Sequence, residues 1–194
     1  MRPLRTAALL LAFGPLVAPL ALSATPPIVP PPVCAVRLSI EAKALRIPAD
    51  AWLEVTVTLE NTGSTEVVLV EPGDGSESGW RTPVLRWSAL RMERGARAVA
   101  LKPEPRCGLM NGPQPRSEVF VLAPGRSRRL QMPLFPPRLG RPGLYEVTLS
   151  YDNDPSMAFH GTAPDDPALR PYQKSTACRI TSQPLRVEVT GAGS

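Results

Sequence analysis

Acidic residues that gather in two stretches of the chain are the side chains with the clearest potential for chemistry. The two groups are Glu71, Asp74 and Glu77, and Asp152, Asp154, Asp165 and Asp166. Calcium takes several oxygen ligands from flexible loops, which makes Asp152 and Asp154 the candidate metal ligands. The surrounding segment lacks the glycine and the closing glutamate of a calcium-binding loop, and aspartate also favours turns for local reasons. We therefore expect no metal and no other cofactor.

His160 is the single histidine of the sequence. A hydrolase triad needs a base that a third group holds against a nucleophile, and the chain contains no Gly-x-Ser-x-Gly motif. One histidine is also too few for an ordinary zinc site. We interpret His160 as a surface or packing residue, and we expect that the protein is not an enzyme.

Trp80 and Arg81 are adjacent in a segment rich in glycine, serine and acidic residues. Both residue types are enriched at binding hot spots, which makes this pair the candidate binding residues. The competing interpretation, which we favour, is that Trp80 folds back over an edge of the domain.

The first residues of the chain have the pattern of a secretory signal peptide. Two arginines are followed by an apolar stretch that ends in small residues. Prolines interrupt this stretch, which disfavours a membrane-spanning helix. We predict a signal peptide over 1–24, a proline-rich linker over 25–33 and a periplasmic or extracellular domain over 34–191, with no membrane insertion after cleavage.

The charge of the chain gives no indication of a nucleic-acid partner. The formal net charge is +5, and removal of the two arginines in the signal peptide leaves 5 − 2 = +3. The densest basic cluster is Arg126, Arg128 and Arg129. It lacks the interleaved aromatic residues of a nucleic-acid surface, so we interpret it as a solvated strand face.

Alternation of apolar and polar residues in several segments predicts half-buried antiparallel strands. The apolar phases of the clearest segments are Val36, Leu38 and Ile40; Leu53, Val55, Val57 and Leu59; Tyr145, Val147, Leu149 and Tyr151; and Leu185, Val187 and Val189. The 25 prolines and the lack of an amphipathic helix agree with this pattern. The sequence therefore predicts an all-β domain.

Turn sequences between these segments predict three hairpins. Asn61-Thr62-Gly63 would lead into a return strand over 65–70, and Ala123-Pro124-Gly125 would join strands over 118–122 and 127–134. A third hairpin would turn near Gly95. We also predict one helical turn over 166–172, which Asp165 caps and Pro167 begins.

Three stretches resemble exported bacterial domains of the immunoglobulin-like or fibronectin-III-like type. They are Leu-Glu-Val-Thr-Val-Thr-Leu-Glu-Asn-Thr-Gly at 53–63, Leu-Ala-Pro-Gly at 122–125, and Pro-Gly-Leu-Tyr-Glu-Val-Thr-Leu-Ser-Tyr at 142–151. The resemblance implies an antiparallel β-sandwich of about seven to nine strands with long loops, in which Tyr145 forms a tyrosine corner. We do not expect the antibody-type disulfide that brackets a core tryptophan.

The mature chain has three cysteines, Cys34, Cys107 and Cys178. Export makes a disulfide possible, and the odd number leaves one thiol over. We prefer a Cys107–Cys178 bond slightly, because it would tie together the two long loop segments. The alternative is Cys34–Cys178, since the first and last strands lie side by side in many such sandwiches. Cys34 would otherwise be a buried thiol.

Three functional hypotheses follow, because a fold of this type does not fix an activity. The first is a non-catalytic module that binds a protein or a component of the cell envelope. The second is a secreted protease inhibitor, and the third is a hydrolase that uses the acidic loop residues.

Overall fold

The computed structural model describes the backbone of residues 34–71, 84–92, 97–99, 112–130 and 139–191, and the side chains of all of these except 97–99. These residues lie in one unit of contacts that spans 31–194. The predicted signal peptide and linker, Trp80, Arg81, Gly95 and Cys107 lie outside the described residues.

Extended chain dominates the described residues, which confirms the all-β prediction. The strands are β1 (Val36–Ala42), β2 (Arg46–Pro48), β3 (Val55–Asn61), β4 (Val67–Val70), β5 (Leu85–Arg91), β6 (Arg97–Val99), β7 (Val119–Leu122), β8 (Ser127–Arg129), β9 (Gly143–Asn153), β10 (Cys178–Thr181) and β11 (Leu185–Thr190). Helical structure in the same residues is limited to α1 (Pro115–Glu118), α2 (Arg170–Gln173) and a 3₁₀ turn at Pro167–Leu169.

The described strands form three sheets. A three-stranded sheet has the order β1-β3-β8, a large sheet has the order β2-β11-β9-β5-β6, and β4 pairs with β7. β10 also pairs with β9, beside β11. All of these pairs are antiparallel except β2 with β11, which is parallel. The first part of the chain therefore passes from the three-stranded sheet at β1 to the edge of the large sheet at β2.

The alternating apolar residues bury one face of each main strand, as the sequence predicts. On β9, Tyr145, Val147, Leu149 and Tyr151 are at most 1% exposed. One core cluster joins apolar residues from all three sheets, and a second cluster lies around Val147 and Val187. The hydroxyl of Tyr151 donates to the carbonyl of Val70 and accepts from its N–H, both at 2.9 Å. Burial raises the pKa of this tyrosine.

Two of the three predicted hairpins are wrong. β3 pairs with β8 and β4 pairs with β7, so neither β3 with β4 nor β7 with β8 forms a hairpin. The segments 61–63 and 123–125 are bends within two long extended segments, β3 with β4 and β7 with β8, which run antiparallel to each other. Neither bend reverses the direction of the chain. The third hairpin is confirmed where it is described, because Leu90 of β5 pairs with Ala98 of β6.

Asn61 explains how the interrupted strands stay together. Its side chain is completely buried and donates to the carbonyls of Thr65 and Leu122, both at 2.8 Å, and it accepts from the N–H of Gly63. These bonds give the buried side-chain amide its hydrogen-bond partners at the point where the pairing of β3 with β8 ends. A β-carbon on Gly63 would lie 2.8 Å from that of Ala35, so the turn also needs a glycine.

The structure joins Cys34 to Cys178, with Cα atoms 5.1 Å apart, and corrects the preferred pairing with Cys107. Cys178 has one sulfur, so the two pairings exclude each other. The reason is that β1 packs beside β10, which brings the residue before β1 within disulfide reach of the residue that begins β10. The bond links the three-stranded sheet to the large sheet.

The predicted helical turn is present, but its cap differs. Pro167 occupies the first turn, as predicted, and Asp166 instead of Asp165 accepts from the N–H of Ala168 at 2.8 Å. The same short segment buries Tyr172, whose ring packs against Phe159 with the ring centroids 5.1 Å apart.

Candidate interaction surface

The two candidate metal ligands have local partners. Asp152 lies on β9 and forms an ion pair with Arg179 of β10 at 3.0 Å. Asp154 follows the strand and accepts from the N–H and the hydroxyl of Ser156, at 2.8 and 2.7 Å, which is the turn geometry that its residue type favours. Both carboxylates line a small open cleft with Asn153, Pro155, Ala177, Cys178 and Arg179.

The third carboxylate of the hydrolase hypothesis lies elsewhere. Glu71 is 7% exposed, and its Oε2 accepts from Nε and Nη2 of Arg128 at 3.0 and 2.6 Å. The guanidinium of Arg128 also lies 4.3 Å above the ring of Phe120. Glu71 does not line the cleft with Asp152 and Asp154, so the structure does not bring the three carboxylates together.

His160 lies in an exposed turn after Phe159, where the sequence interpretation allowed a surface residue. Across the part of the chain that the structure describes, no three His, Cys, Asp or Glu side chains come together in a group that could hold a metal ion. None of the helices in the described residues has the length and apolar character that a membrane span needs.

The outer face of the large sheet carries an ordered pattern of side chains. The even-numbered residues of β9 point outward, because its odd-numbered residues fill the core. Register places Glu188 of β11 beside Leu144, and Arg46 of β2 beside Glu188. Met92, just after β5, donates its N–H to the carbonyl of Leu144 at 2.8 Å. Four residues therefore lie in one row across the sheet, in the order Arg46, Glu188, Leu144 and Met92.

The next row repeats the pattern. Arg186 of β11 pairs with Glu146 of β9, which pairs with Leu90 of β5. The face is therefore banded: arginines lie on one side, glutamates in the middle, and Leu90, Met92 and Leu144 on the other side. We call these three residues the apolar corner.

The apolar corner is open to solvent. Leu90, Met92 and Leu144 are 38%, 37% and 44% exposed. They are neighbours across two strands, and this contiguity distinguishes them from single apolar residues, which are ordinary on protein surfaces. A flexible methionine beside two leucines can adapt its shape to an apolar partner.

Ion pairs define the other two bands. Arg186 Nε lies 3.0 Å from Glu146 Oε1, and Arg46 Nε lies 3.6 Å from Glu188 Oε1. Both arginine side chains are more than 70% exposed, so they keep donors that face solvent. The face thus combines an apolar area with a charged rim.

Sequence reasoning missed this surface, although a signal was present. Leu144 and Leu90 occupy positions where the alternation of their strands requires polar residues. Comparison with protein-family models, with curated proteins and with solved structures finds no match for this chain.

Proposed function

We propose that the protein is an exported, non-catalytic binding module, an immunoglobulin-like sandwich that binds a protein or a component of the cell envelope through the outer face of its large sheet. The observation that carries the proposal is the apolar corner next to two bands of charge. Protein interfaces combine an apolar centre with a polar rim in this way.

The strand order supports an immunoglobulin-like sandwich. The first strand divides, with β1 antiparallel to β3 and β2 parallel to the last strand, β11. The large sheet has β9 at its centre, between β5 and the β10–β11 pair. Apolar residues of the opposing sheets share one core cluster, as they do when two sheets pack face to face.

Two aromatic residues support the same assignment. Tyr145, near the start of β9, donates its hydroxyl to the carbonyl of Arg141 at 2.8 Å, with the carbonyl of Leu139 at 3.2 Å. A tyrosine corner is such a bond from the start of a late strand to the backbone just upstream. Trp87 of β5 packs against both core clusters, as the tryptophan of the third main strand does in antibody domains.

Export is supported by the pattern of the first 24 residues and by the Cys34–Cys178 bond. Disulfides persist mainly in oxidising compartments such as the periplasm and the extracellular medium. A binding role also agrees with the banded face, since electrostatic complementarity at a rim selects partners and orients them.

To test this proposal, the mature domain is immobilised and exposed to the envelope fraction of the producing cell, and the partners that it retains are measured. We compare the unchanged domain with Leu144→Asp and with Ser39→Asp. Ser39 lies on the outer face of the three-stranded sheet, beside Thr58, so the same new charge there is the matched control. A charge in the centre of an apolar contact is strongly unfavourable, so a specific partner should be lost with Leu144→Asp and kept with Ser39→Asp. Equal retention by both variants would contradict the proposal.

A further inference from the structure

In the part of the chain that the structure describes, the outer edge of β7 and β8 has main-chain groups without a strand partner. On β4, the N–H and carbonyl of Val68 bond to Thr176 at 3.0 and 2.7 Å, and those of Val70 bond to Tyr151.

Because main-chain groups alternate in direction along a strand, Val67 and Leu69 are the residues of β4 that bond to β7. They pair with Leu122 and Phe120. The main chain of Val121 and the carbonyl of Val119 therefore point away from β4.

The same alternation continues on β8. Leu130 donates its N–H to Val57 of β3, and Asn61 of β3 donates to the carbonyl of Arg126. The main-chain N–H and carbonyl groups of the even-numbered residues of β8 thus face β3, and those of Ser127 and Arg129 point outward. Within the described residues, no strand pairs with this outer edge.

The side chains along the edge have a definite character. Val121 is 58% exposed. Arg116 lies just before β7, and Arg126 and Arg129 lie after it, all three exposed. None of them forms an ion pair with a carboxylate among the described residues, whereas Arg128 points inward to Glu71. The edge therefore offers an apolar position with positive charge on both sides.

We propose that the β7–β8 edge, with Val119 and Val121 at its centre, binds an extended peptide of a partner protein that has β-branched residues in the middle and acidic residues at both ends. The peptide would add as a strand beside β7. Main-chain bonds to Val121 would provide affinity, and the arginines would select the acidic ends. This surface is independent of the apolar corner.

A second copy of the chain fits the edge less well. If two copies paired antiparallel about Val121, Arg126 of one would face Arg116 of the other. Like charges opposite each other in a strand pair are destabilising. The charge pattern thus favours an acidic peptide.

The probe for this proposal is a fluorescein-labelled peptide of alternating valine and threonine with aspartates at both ends. Fluorescence polarisation with the mature, disulfide-bonded protein should give saturable binding that weakens as salt is added. The double variant Arg126→Glu with Arg129→Glu should weaken binding by about tenfold or more, because charge-assisted bonds become repulsive. Arg86→Glu, an exposed arginine on β5, is the matched control and should bind as the unchanged protein does.

A second peptide separates strand addition from charge attraction alone. It carries N-methyl groups on its valines, which removes main-chain donors and keeps the charges. Strand addition predicts loss of binding with this peptide. Equal binding of the methylated peptide, equal weakening by Arg86→Glu, or no saturable binding would each overturn the proposal. So would a concentration-dependent dimer in sedimentation velocity that Val121→Pro abolishes, since a second copy would then occupy the edge.

Discussion

The outer faces of the three-stranded sheet and the large sheet arise from the same alternating pattern but differ in content. On the three-stranded sheet, Arg37 bonds to Glu60 at 3.2 Å and Ser39 lies beside Thr58. That face is polar across β1 and β3. On the large sheet, charged pairs of the same kind lie beside the exposed Leu90 and Leu144.

The difference concerns positions of an all-β domain that the core does not constrain. Inward positions are constrained by the core on both sheets, because a polar residue there would lose hydration without compensation. Outward positions carry no such constraint, so a contiguous group of exposed apolar residues there is a candidate binding area, whereas a single one is not. Ion pairs occur on both faces and therefore do not distinguish them.

Both faces belong to one unit of contacts, and the Cys34–Cys178 bond is a covalent link between its sheets. The variant Cys34→Ser should lose about 5 kcal/mol of the free energy of unfolding, because the bond closes a loop of 144 residues. Urea unfolding of the variant and of the oxidised protein measures the difference. A change below about 1 kcal/mol would mean that the sheets are held together without the bond.

Asn61 is the next largest contributor, since it joins the interrupted strands of the smaller sheets. Asn61→Ala should destabilise the domain by about 2–4 kcal/mol, because the buried carbonyl of Leu122 and the part-buried carbonyl of Thr65 and N–H of Gly63 lose their partner. Thr58→Ala, three residues earlier and on the outer face, is the control and should change stability by less than about 0.5 kcal/mol. Equal effects in thermal or urea unfolding would argue against the buried network.

The surface ion pairs should have the smallest effect, and an equal one on the two faces. Arg186→Ala on the large sheet and Arg37→Ala on the three-stranded sheet should each cost less than about 1 kcal/mol, and added salt should reduce both. Denaturant titrations at low and high salt measure this. A much larger loss for Arg186 would show that the charged bands of the large sheet also support the fold.

The sequence predicts the faces of the strands well and their pairing less well. Alternation identifies the buried residues of β1 and β9, because burial depends on each strand by itself. The hairpin predicted at Asn61 is wrong, because the residues of 61–63 suit a bend in a strand as well as a reversal of the chain. Only the long-range pairing of β3 with β8 distinguishes a bend from a reversal. The disulfide likewise depends on the packing of β1 beside β10, which no local pattern encodes.

The candidate site was not predicted for a related reason. The acidic residues at 152 and 154 attract attention by type, yet each has a local partner in Arg179 or Ser156. The apolar corner consists of ordinary residues at unusual positions. It becomes visible only when register places Leu90, Met92 and Leu144 side by side.

The central claim, that partners bind the outer face of the large sheet, is tested most directly by site-specific photo-cross-linking. A benzophenone side chain is placed at position 144 or at position 39 of the full chain in its producing cell. We predict a discrete cross-linked species from position 144 that is absent from position 39, where the outer face of the three-stranded sheet is polar. Adducts of equal yield from both positions, or from position 39 alone, would contradict the account.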